Sequence, residues 1–275
     1  MPTSFKQKDK IRELTFGITD GVSNIILYFL YLTSSGGIDD LDKADYLLTK
    51  FAKSQIRRAL YALIQQGLVD NPVDSVITIT KLGKTKARTK LQLEVEPKPW
   101  KGKLYLINYD ISARDNSKRV MFQRLLIKNN AAMLQNSLYI TSYNPSSLIQ
   151  SFNRQYGQVG EVFISTLDIK STFQTAIEVR SILWKVFQLE ELNQRYAQFL
   201  DSYAGLSSES MQNKRLILSI TFQYVSIRRD DPDIPLELLL ESYLGFEATK
   251  LFHKLVPYLT NVARTRASLI NLITI

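Results

Sequence analysis

The chain has 275 residues, a formal net charge of +9 and no cysteine. This length predicts about two or three domains, and the absence of cysteine excludes disulfides, thiolate metal sites and a cysteine nucleophile. Residues 1–10 are polar and lack the apolar core of a signal peptide, and the longest apolar run, residues 25–32, is too short to span a bilayer. We therefore expect a cytoplasmic protein.

The positive charge is concentrated in one region of the chain. Residues 50–90 contain nine Lys and Arg against two acids, which is a net charge of +7 within 41 residues. A basic stretch confined to one region is typical of a surface that binds a polyanion. The alternative is an ordinary solvated surface, and composition alone leaves both interpretations open.

Three helices are predicted in the first third of the chain. Apolar residues at helical spacing predict helices over residues 16–33, 42–51 and 54–66, with a Ser-Ser-Gly-Gly break at 34–37 and a stop at Gly67. The first helix has an apolar face made of Val22, Ile25, Ile26, Phe29 and Leu30.

The third of these helices has two contrasting faces. Its apolar face is made of Ile56, Ala59, Leu60, Leu63 and Ile64. The opposite face carries Ser54, Arg58, Tyr61 and Gln65, with Gln55 and Arg57 on its flanks. Packing through the apolar face would therefore leave the polar face free to meet a partner.

A β-hairpin is predicted after the third helix. Residues 68–70 and 76–80 have the composition of strands, and residues 71–75 hold the Asn, Pro, Asp and Ser of a turn. Three helices followed by a hairpin predict a winged helix-turn-helix over residues 1–96. The alternative is a small helical domain that carries a hairpin. Pro-Lys-Pro at residues 97–99 predicts a stiff linker.

The middle of the chain, residues 98–171, predicts a ferredoxin-like domain. Strands are predicted over residues 104–111, 131–135, 138–142 and 161–167, and helices over 120–129 and 147–156. The order β-α-β-β-α-β is that of two helices packed on an antiparallel sheet. Asp110 lies at the end of the first of these strands.

The remainder, residues 172–275, predicts an α-helical C-terminal domain. Helical spacing covers residues 172–203, 211–229, 236–242 and 246–256. The aromatic residues in this part predict either a core or a ligand pocket, and they are Trp184, Phe187, Phe199 and Tyr203. The whole chain is thus predicted to be α+β: a winged helix-turn-helix, then a ferredoxin-like domain, then a helical C-terminal domain.

Several motifs, taken in their order along the chain, resemble a known family. They are Trp-Lys-Gly-Lys-Leu at 100–104 before Tyr-Asp-Ile at 109–111, Leu-x-x-x-Tyr-x-x-Phe at 192–199, and Asp-Pro-x-x-Pro-x-x-Leu-Leu at 231–239. In this order they resemble the PaaX-type repressors of phenylacetate catabolism over nearly the whole chain. The resemblance implies a homodimeric repressor that binds an inverted-repeat DNA operator. It also implies a middle domain similar to the ferredoxin-like protein of CRISPR adaptation complexes, and an aryl-CoA thioester as small-molecule effector.

The candidate DNA-binding residues come from the third helix and the basic stretch. Arg58, Tyr61 and Ser54 lie on the face that a recognition helix presents to the major groove, where arginine can donate two hydrogen bonds to guanine. Ser54 could instead be the N-cap of its helix. Lysines and arginines on the flanks and in the predicted wing suit phosphate contacts. The predicted set is Lys53, Ser54, Gln55, Arg57, Arg58, Tyr61, Lys81, Lys84 and Lys86.

Enzymatic signals are few. By the same resemblance, Asp110 lies where the CRISPR-adaptation proteins carry an aspartate linked to metal-dependent nuclease activity. The alternative function is therefore a metal-dependent nuclease, or another nucleic-acid-processing factor, of a defence or integration system. A lone carboxylate is a poor magnesium site, and a hydrogen-bonding role at the strand end is the other interpretation. A third alternative is a DNA-bridging protein without sequence preference.

No motif predicts a catalytic centre. His253 is the single histidine, and its neighbours Phe252 and Leu255 predict a role in helix packing. No glycine pattern of a nucleotide-binding loop is present. We therefore expect no catalytic residue, no metal site and no cofactor, and a transcriptional regulator rather than an enzyme.

Overall fold

A computed structural model of the chain describes residues 18–33, 40–70, 77–91, 100–158, 160–168, 176–207, 209–210 and 213–260. The predicted break at 34–37, the hairpin turn at 71–75, the linker at 97–99 and the first two residues of the predicted first helix lie outside these ranges. Helices and antiparallel sheets both occur, so the predicted α+β class is confirmed. Within these ranges, no helix combines the length and the apolar character needed to cross a membrane.

The residues that the structure describes form ten α-helices and six β-strands. The N-terminal elements are α1 (Ile18–Thr33), α2 (Asp40–Lys50), α3 (Lys53–Gln65), β1 (Val69–Asp70), β2 (Thr78–Ile79) and α4 (Lys81–Leu91). The middle elements are β3 (Lys103–Asp110), α5 (Asn116–Lys128), β4 (Ala132–Gln135), β5 (Leu138–Thr141), α6 (Ser146–Tyr156) and β6 (Glu161–Asp168). The C-terminal elements are α7 (Ala176–Val186), α8 (Leu189–Tyr203), α9 (Lys214–Asp230) and α10 (Gly245–Thr260).

The contacts within the chain divide it into two compact units. Unit 1 comprises Met1–Val95, Asn193–Asp230 and Leu244–Ile275. Unit 2 comprises Glu96–Leu192 and Asp231–Tyr243. The helices α9 and α10 of the C-terminal third therefore belong to the same unit as the N-terminal helices α1 to α4.

Helix α1 lies at the centre of unit 1. Its buried residues lie on every side of the helix, and they are Val22, Ser23, Ile25, Ile26, Leu27, Tyr28, Phe29, Leu30, Leu32 and Thr33. A helix that is apolar all round has to be covered all round. The helices α3, α4, α9 and α10 all pack against α1 and provide that cover.

The segment after the hairpin is a helix, which corrects the prediction of a wing at Lys81, Lys84 and Lys86. Strands β1 and β2 pair antiparallel, and helix α4 begins directly after Thr80. The Thr80 hydroxyl accepts a hydrogen bond from the backbone N–H of Gly83 at 3.1 Å, as an N-cap residue does. The sequence Thr-Lys-Leu-Gly at 80–83, a Thr-x-x-Gly pattern, therefore starts a helix here.

Unit 2 is built on a four-stranded antiparallel sheet with the strand order β4-β5-β3-β6. Alternate residues of β3 face the helices, so that Ile107 and Tyr109 join a core with residues of α5 and α6. Phe122 of α5 contacts Tyr109 edge to face and packs against Phe152 of α6. Two helices thus cover one face of the sheet, with β3 and β5 at its centre.

The C-terminal third contains one correction to the predicted helices. Within the stretch predicted as helical, 172–203, the described residues from 176 on form α7 and α8, and the chain turns between them, where Gln188 has φ +55°. The predicted helix over 236–242 is only a 3-10 turn, Leu236–Leu238. Here the Asp231 carboxylate accepts hydrogen bonds from the Asp233 backbone and the Tyr243 hydroxyl, and such local bonds compete with helix formation.

Candidate nucleic-acid interface

Helix α3 presents one free face because its packing uses only the other. Ile56, Ala59, Leu60 and Leu63 are buried, and α1 packs against α3. The opposite side is exposed along the helix, and Tyr61 has 65% of its surface in contact with solvent. The exposed candidates on this helix are Lys53, Ser54, Arg57, Arg58 and Tyr61. The residues that could meet a duplex are therefore accessible from one side.

The first turn of α3 is capped by its neighbours, not by Ser54. The N-cap residue is Ala52, which has extended backbone angles and no side chain able to accept a hydrogen bond. The Gln55 side chain accepts a hydrogen bond from the Ala52 backbone N–H at 2.9 Å. The capping alternative for Ser54 is therefore wrong, and part of the hydrogen-bonding capacity of the half-buried Gln55 is already used.

Arg58 lies along the surface of α3. Its Nε–H donates a hydrogen bond to the carbonyl oxygen of Ser54 at 3.3 Å, one turn earlier. This contact uses one of the five guanidinium donors and leaves the two terminal nitrogens at the outer end of the side chain. A pair of donors on one planar group is what the O6 and N7 atoms of guanine accept.

Helix α4 is basic on its exposed side. Its buried residues are Gly83, Ala87 and Leu91, which repeat every four residues and mark the packed face. Lys81, Lys84 and Lys86 are exposed, and the helix has no acidic residue. Arg88, which is not in the predicted set, is a further exposed cation of the same basic stretch.

The hairpin brings the end of α3 and the start of α4 together. Thr80, the residue before α4, donates its hydroxyl to the Gly67 carbonyl at 2.7 Å and its backbone N–H to the Leu68 carbonyl at 3.0 Å. Gly83 approaches the same carbonyl of Leu68 so closely that a Cβ atom would collide with it. The C-terminal end of α3 and the N-terminal end of α4, both basic helices, therefore lie close together in unit 1.

An ion-pair network fixes the C-terminal end of α9. Arg195 of α8 and Arg229 each donate to the Asp230 carboxylate at 2.8 Å, and Arg195 also donates to the Ser226 carbonyl at 2.9 Å. Burial alone would raise the pKa of the Asp230 carboxyl, but the hydrogen bonds and charges of Arg229 and Arg195 outweigh burial and hold it below its usual value. The network ties α8 to α9 within unit 1.

The alternative function as a nuclease gains no support from the residues around Asp110. Asp110 is exposed at the end of β3, and its cross-strand neighbour is Glu161. Magnesium in phosphate-processing enzymes is usually held by one or two protein carboxylates together with substrate phosphates, so Asp110 and Glu161 would need such phosphates to complete a site. In the parts of the chain that the structure describes, no group of three or more potential metal-binding side chains occurs.

One other side-chain prediction is corrected. His253 is exposed on α10 instead of packed, and Phe252 and Leu255 are the buried residues beside it. Its partial burial lowers the pKa of His253.

The four aromatic residues considered as one pocket are distributed over both units. In unit 1, Phe199 contacts Tyr203 and Tyr224 in a buried core. In unit 2, Trp184 contacts Tyr243 edge to face. Phe199 and Tyr203 therefore take part in a core, which is the first of the two interpretations of this pattern.

The comparisons with known proteins concern the C-terminal third. Residues 187–268 match the family described as PaaX-like protein C-terminal domain. The match covers α8, α9 and α10, and it includes the motifs at 192–199 and 231–239. Among solved structures, the chain is similar to "Uncharacterized protein Rv0674 from Mycobacterium tuberculosis", with 12% identity over 76% of this chain and 82% of that one, and a TM-score of 0.46. No curated protein matches.

Proposed function

We propose that this chain is a dimeric DNA-binding repressor of the PaaX type. The proposal starts from the match of residues 187–268 to the PaaX-like protein C-terminal domain, which supports membership in that family of regulators. Helix α3 enters the major groove of an inverted-repeat operator, and the basic residues beside it contact phosphates. The observation that supports this most directly is the free face of α3, where Arg58 and Tyr61 are exposed while the opposite face is buried.

The proposal divides the chain by role. Residues 1–96 act as a winged helix-turn-helix DNA-binding domain, in which α2 and α3 are the helix pair and β1 and β2 are the wing. Residues 98–171 act as a ferredoxin-like middle domain, which the strand order β4-β5-β3-β6 supports. Residues 172–275 act as the helical C-terminal domain, whose helices α9 and α10 complete the core around α1.

Base reading and phosphate binding are assigned to different residues. Arg58 is the main reader, because a bidentate pair with guanine discriminates against other bases by roughly 1–3 kcal/mol. Ser54, Gln55 and Tyr61 lie beside it on α3 and contribute secondary contacts to base edges. The phosphate-binding residues are Lys53, Arg57, Lys81, Lys84 and Lys86, which hold the register without reading the sequence.

Arg58→Ala is expected to lower affinity for the operator by about 10–100-fold while lowering affinity for random duplexes far less. Lys84→Ala is expected to weaken both duplexes alike and to flatten the dependence of log K on log salt by about one. The measurement is fluorescence anisotropy at several salt concentrations, with a site selected by the wild type from a random library.

The matched control for these two variants is Arg124→Ala, which removes an exposed arginine from α5 in unit 2 and is expected to change neither affinity. Equal losses on both duplexes for Arg58→Ala would refute base reading by α3. A wild type that selects no preferred sequence would refute the operator itself and would leave the DNA-bridging alternative.

The homodimer is proposed to form through β6, one of the two edge strands of the sheet in unit 2. Most of its residues are exposed on both faces, including Phe163 and Ile164. The strand has no proline, lysine or bulge, which are the usual devices that keep an edge from pairing. We expect the β6 strands of two copies to pair through their central residues only. Full antiparallel overlap would place Glu161 of one copy opposite Asp168 of the other, and these two carboxylates would repel each other.

A Phe163→Glu, Ile164→Lys double variant is expected to be monomeric where the wild type is dimeric, because it places charges at the centre of the pairing strand. Size-exclusion chromatography with light scattering at equal protein concentration measures the mass. Leu236→Lys is the matched control, since it charges another exposed apolar residue of unit 2 and should leave the mass unchanged. A double variant with the mass of the wild-type dimer would exclude β6 from the interface.

The dimer sets the geometry of the operator. Two copies related by a two-fold axis present their α3 helices to half-sites that are one helical turn or a multiple apart. An aryl-CoA thioester remains the effector that the family resemblance implies, and no residue is assigned to it.

A further inference from the structure

A phenylalanine of the C-terminal helix α9 lies against the helix that precedes α3. The ring of Phe222 contacts Tyr46 of α2 edge to face, with centroids 5.8 Å apart. It also contacts Phe51, the residue after α2, with centroids 5.7 Å apart. Phe222 is half-buried, and Tyr46 in turn lies parallel to Phe29 of α1 at 6.1 Å. One side chain of α9 therefore connects two residues of the N-terminal segment.

A lysine completes this aromatic contact. The Lys50 ammonium lies 5.3 Å from the centre of the Tyr46 ring and 5.8 Å from the centre of the Phe222 ring. Both distances are within the range at which a cation is attracted by the face of an aromatic ring. Lys50 is the last residue of α2, so the contact fixes the end of that helix.

The contact between Phe222 and Phe51 lies directly before the start of α3. Phe51 donates its backbone N–H to the Leu47 carbonyl at 2.9 Å and thereby continues the last turn of α2. Ala52 follows at once as the N-cap of α3, and its carbonyl accepts from Gln55 and Ile56. Only Ala52 separates the ring of Phe51 from the helix, so a shift of that ring would shift the first turn of α3.

We propose that Phe222 is a positioning residue for DNA reading, which acts by holding the N-terminal end of α3 through Phe51 and Lys50. This inference rests on the proposed function, in which the N-terminal residues of the recognition helix contact the base edges. Phe222 lies within the matched residues 187–268, so the C-terminal domain contributes a contact that sets the reading helix. A displacement of α9 would thus reach the bases without any contact between α9 and DNA.

The expected effect follows from the number of contacts that the ring makes. A single aromatic pair contributes only modestly to the free energy of a conformation. Phe222 makes two such pairs and also lies near the Lys50 ammonium, so we expect the loss of its ring to change an equilibrium constant about tenfold. Phe222→Ala is therefore expected to lower the ratio of operator affinity to random-duplex affinity about tenfold. The salt dependence should stay unchanged, because no phosphate contact is lost.

Two measurements separate positioning from a general loss of stability. The first is the affinity ratio, normalised to the folded fraction that thermal unfolding gives for each variant. The second is hydrogen exchange of peptides that cover residues 45–58, in the absence of DNA. Phe222→Ala is expected to speed exchange in these peptides, because the end of α2 and the start of α3 open more often.

The variants form a graded set. Phe222→Leu keeps an apolar side chain and removes the ring contacts, so it stays informative where Phe222→Ala lowers the folded fraction. Phe222→Tyr keeps the ring and should restore both measurements. Phe246→Ala is the matched control, because Phe246 is an exposed aromatic of unit 1 with Lys250 over its ring at 4.1 Å. It should leave both measurements at wild-type values.

The outcomes for this inference and for the proposed function differ. Unchanged exchange and an unchanged affinity ratio in Phe222→Leu and Phe222→Ala would overturn the positioning role, even with a wild type that binds its operator well. A wild type without sequence preference would overturn the proposed function and, with it, the assignment to DNA reading. The exchange data would then still decide whether Phe222 holds the start of α3.

Discussion

A fragment that ends at Val95 is expected to lack a cooperative thermal unfolding transition. Helices α9 and α10 cover part of α1, and the fragment would leave that part in water. Exposing one large apolar side chain costs about 1.5–3 kcal/mol. Exposing the side chains of α1 that α9 and α10 cover would therefore consume a large part of the roughly 5–15 kcal/mol that stabilise a domain. Far-ultraviolet circular dichroism against temperature, with a dye that binds exposed apolar surface, tests this.

The control for the fragment restores the missing helices. Residues 1–95 joined by a flexible linker to residues 193–260 carry α8 from Asn193 on, α9 and α10 again. This fusion is expected to regain a sigmoidal transition, because the cover of α1 is complete. A sigmoidal transition in the short fragment itself, at a temperature near that of the full chain, would show that the N-terminal helices fold without α9 and α10.

Gly83→Ala is expected to destabilise the protein by about 2–3 kcal/mol, as overpacking of a tight contact does. Within a helix, alanine in place of glycine normally stabilises by roughly 0.5–1 kcal/mol. Here the sign reverses, because the added Cβ would collide with the Leu68 carbonyl oxygen and lie 2.8 Å from Cγ1 of Ile79. Only a glycine lets α4 lie this close to the hairpin.

Urea unfolding measures the effect, and Gly205→Ala is the matched control. A Cβ atom on Gly205 would meet no heavy atom within 4 Å, so this variant is expected to change the free energy of unfolding by less than about 0.5 kcal/mol. If Gly83→Ala proved as stable as the wild type, α4 would have to be able to move away from the hairpin at little cost. The position of Lys81 and Lys84 beside α3 would then no longer be fixed.

The two faces of α3 could be predicted from the sequence because they depend on local periodicity. Apolar residues every three to four positions define the buried side of a helix wherever that helix packs. Ile56, Ala59, Leu60 and Leu63 were therefore predicted as its core face and are buried. The exposed Arg58 and Tyr61 follow from the same spacing, since they lie on the opposite side.

The structure after the hairpin could not be predicted because one short sequence has two uses. Thr-x-x-Gly can end a strand, and it can also cap a helix through the hydroxyl of the threonine. The choice depends on Gly83 meeting the Leu68 carbonyl, which is a contact between residues fifteen positions apart. The exposure of His253 could not be predicted from its sequence neighbours either. Phe252 and Leu255 are buried, but they lie on a different side of the helix from His253.

The sequence by itself determined the α+β class, the helix with a basic and polar face, and the family resemblance, because these follow from local spacing and from short motifs. Only the tertiary structure decided that α1 is buried on all sides, and that α9 and α10, which begin about 180 and 210 residues after its end, pack against it. The physical reason is that periodicity states how much apolar surface a helix must bury, but not which distant helix buries it. The contact between Phe222 and the start of α3 belongs to this second kind of information.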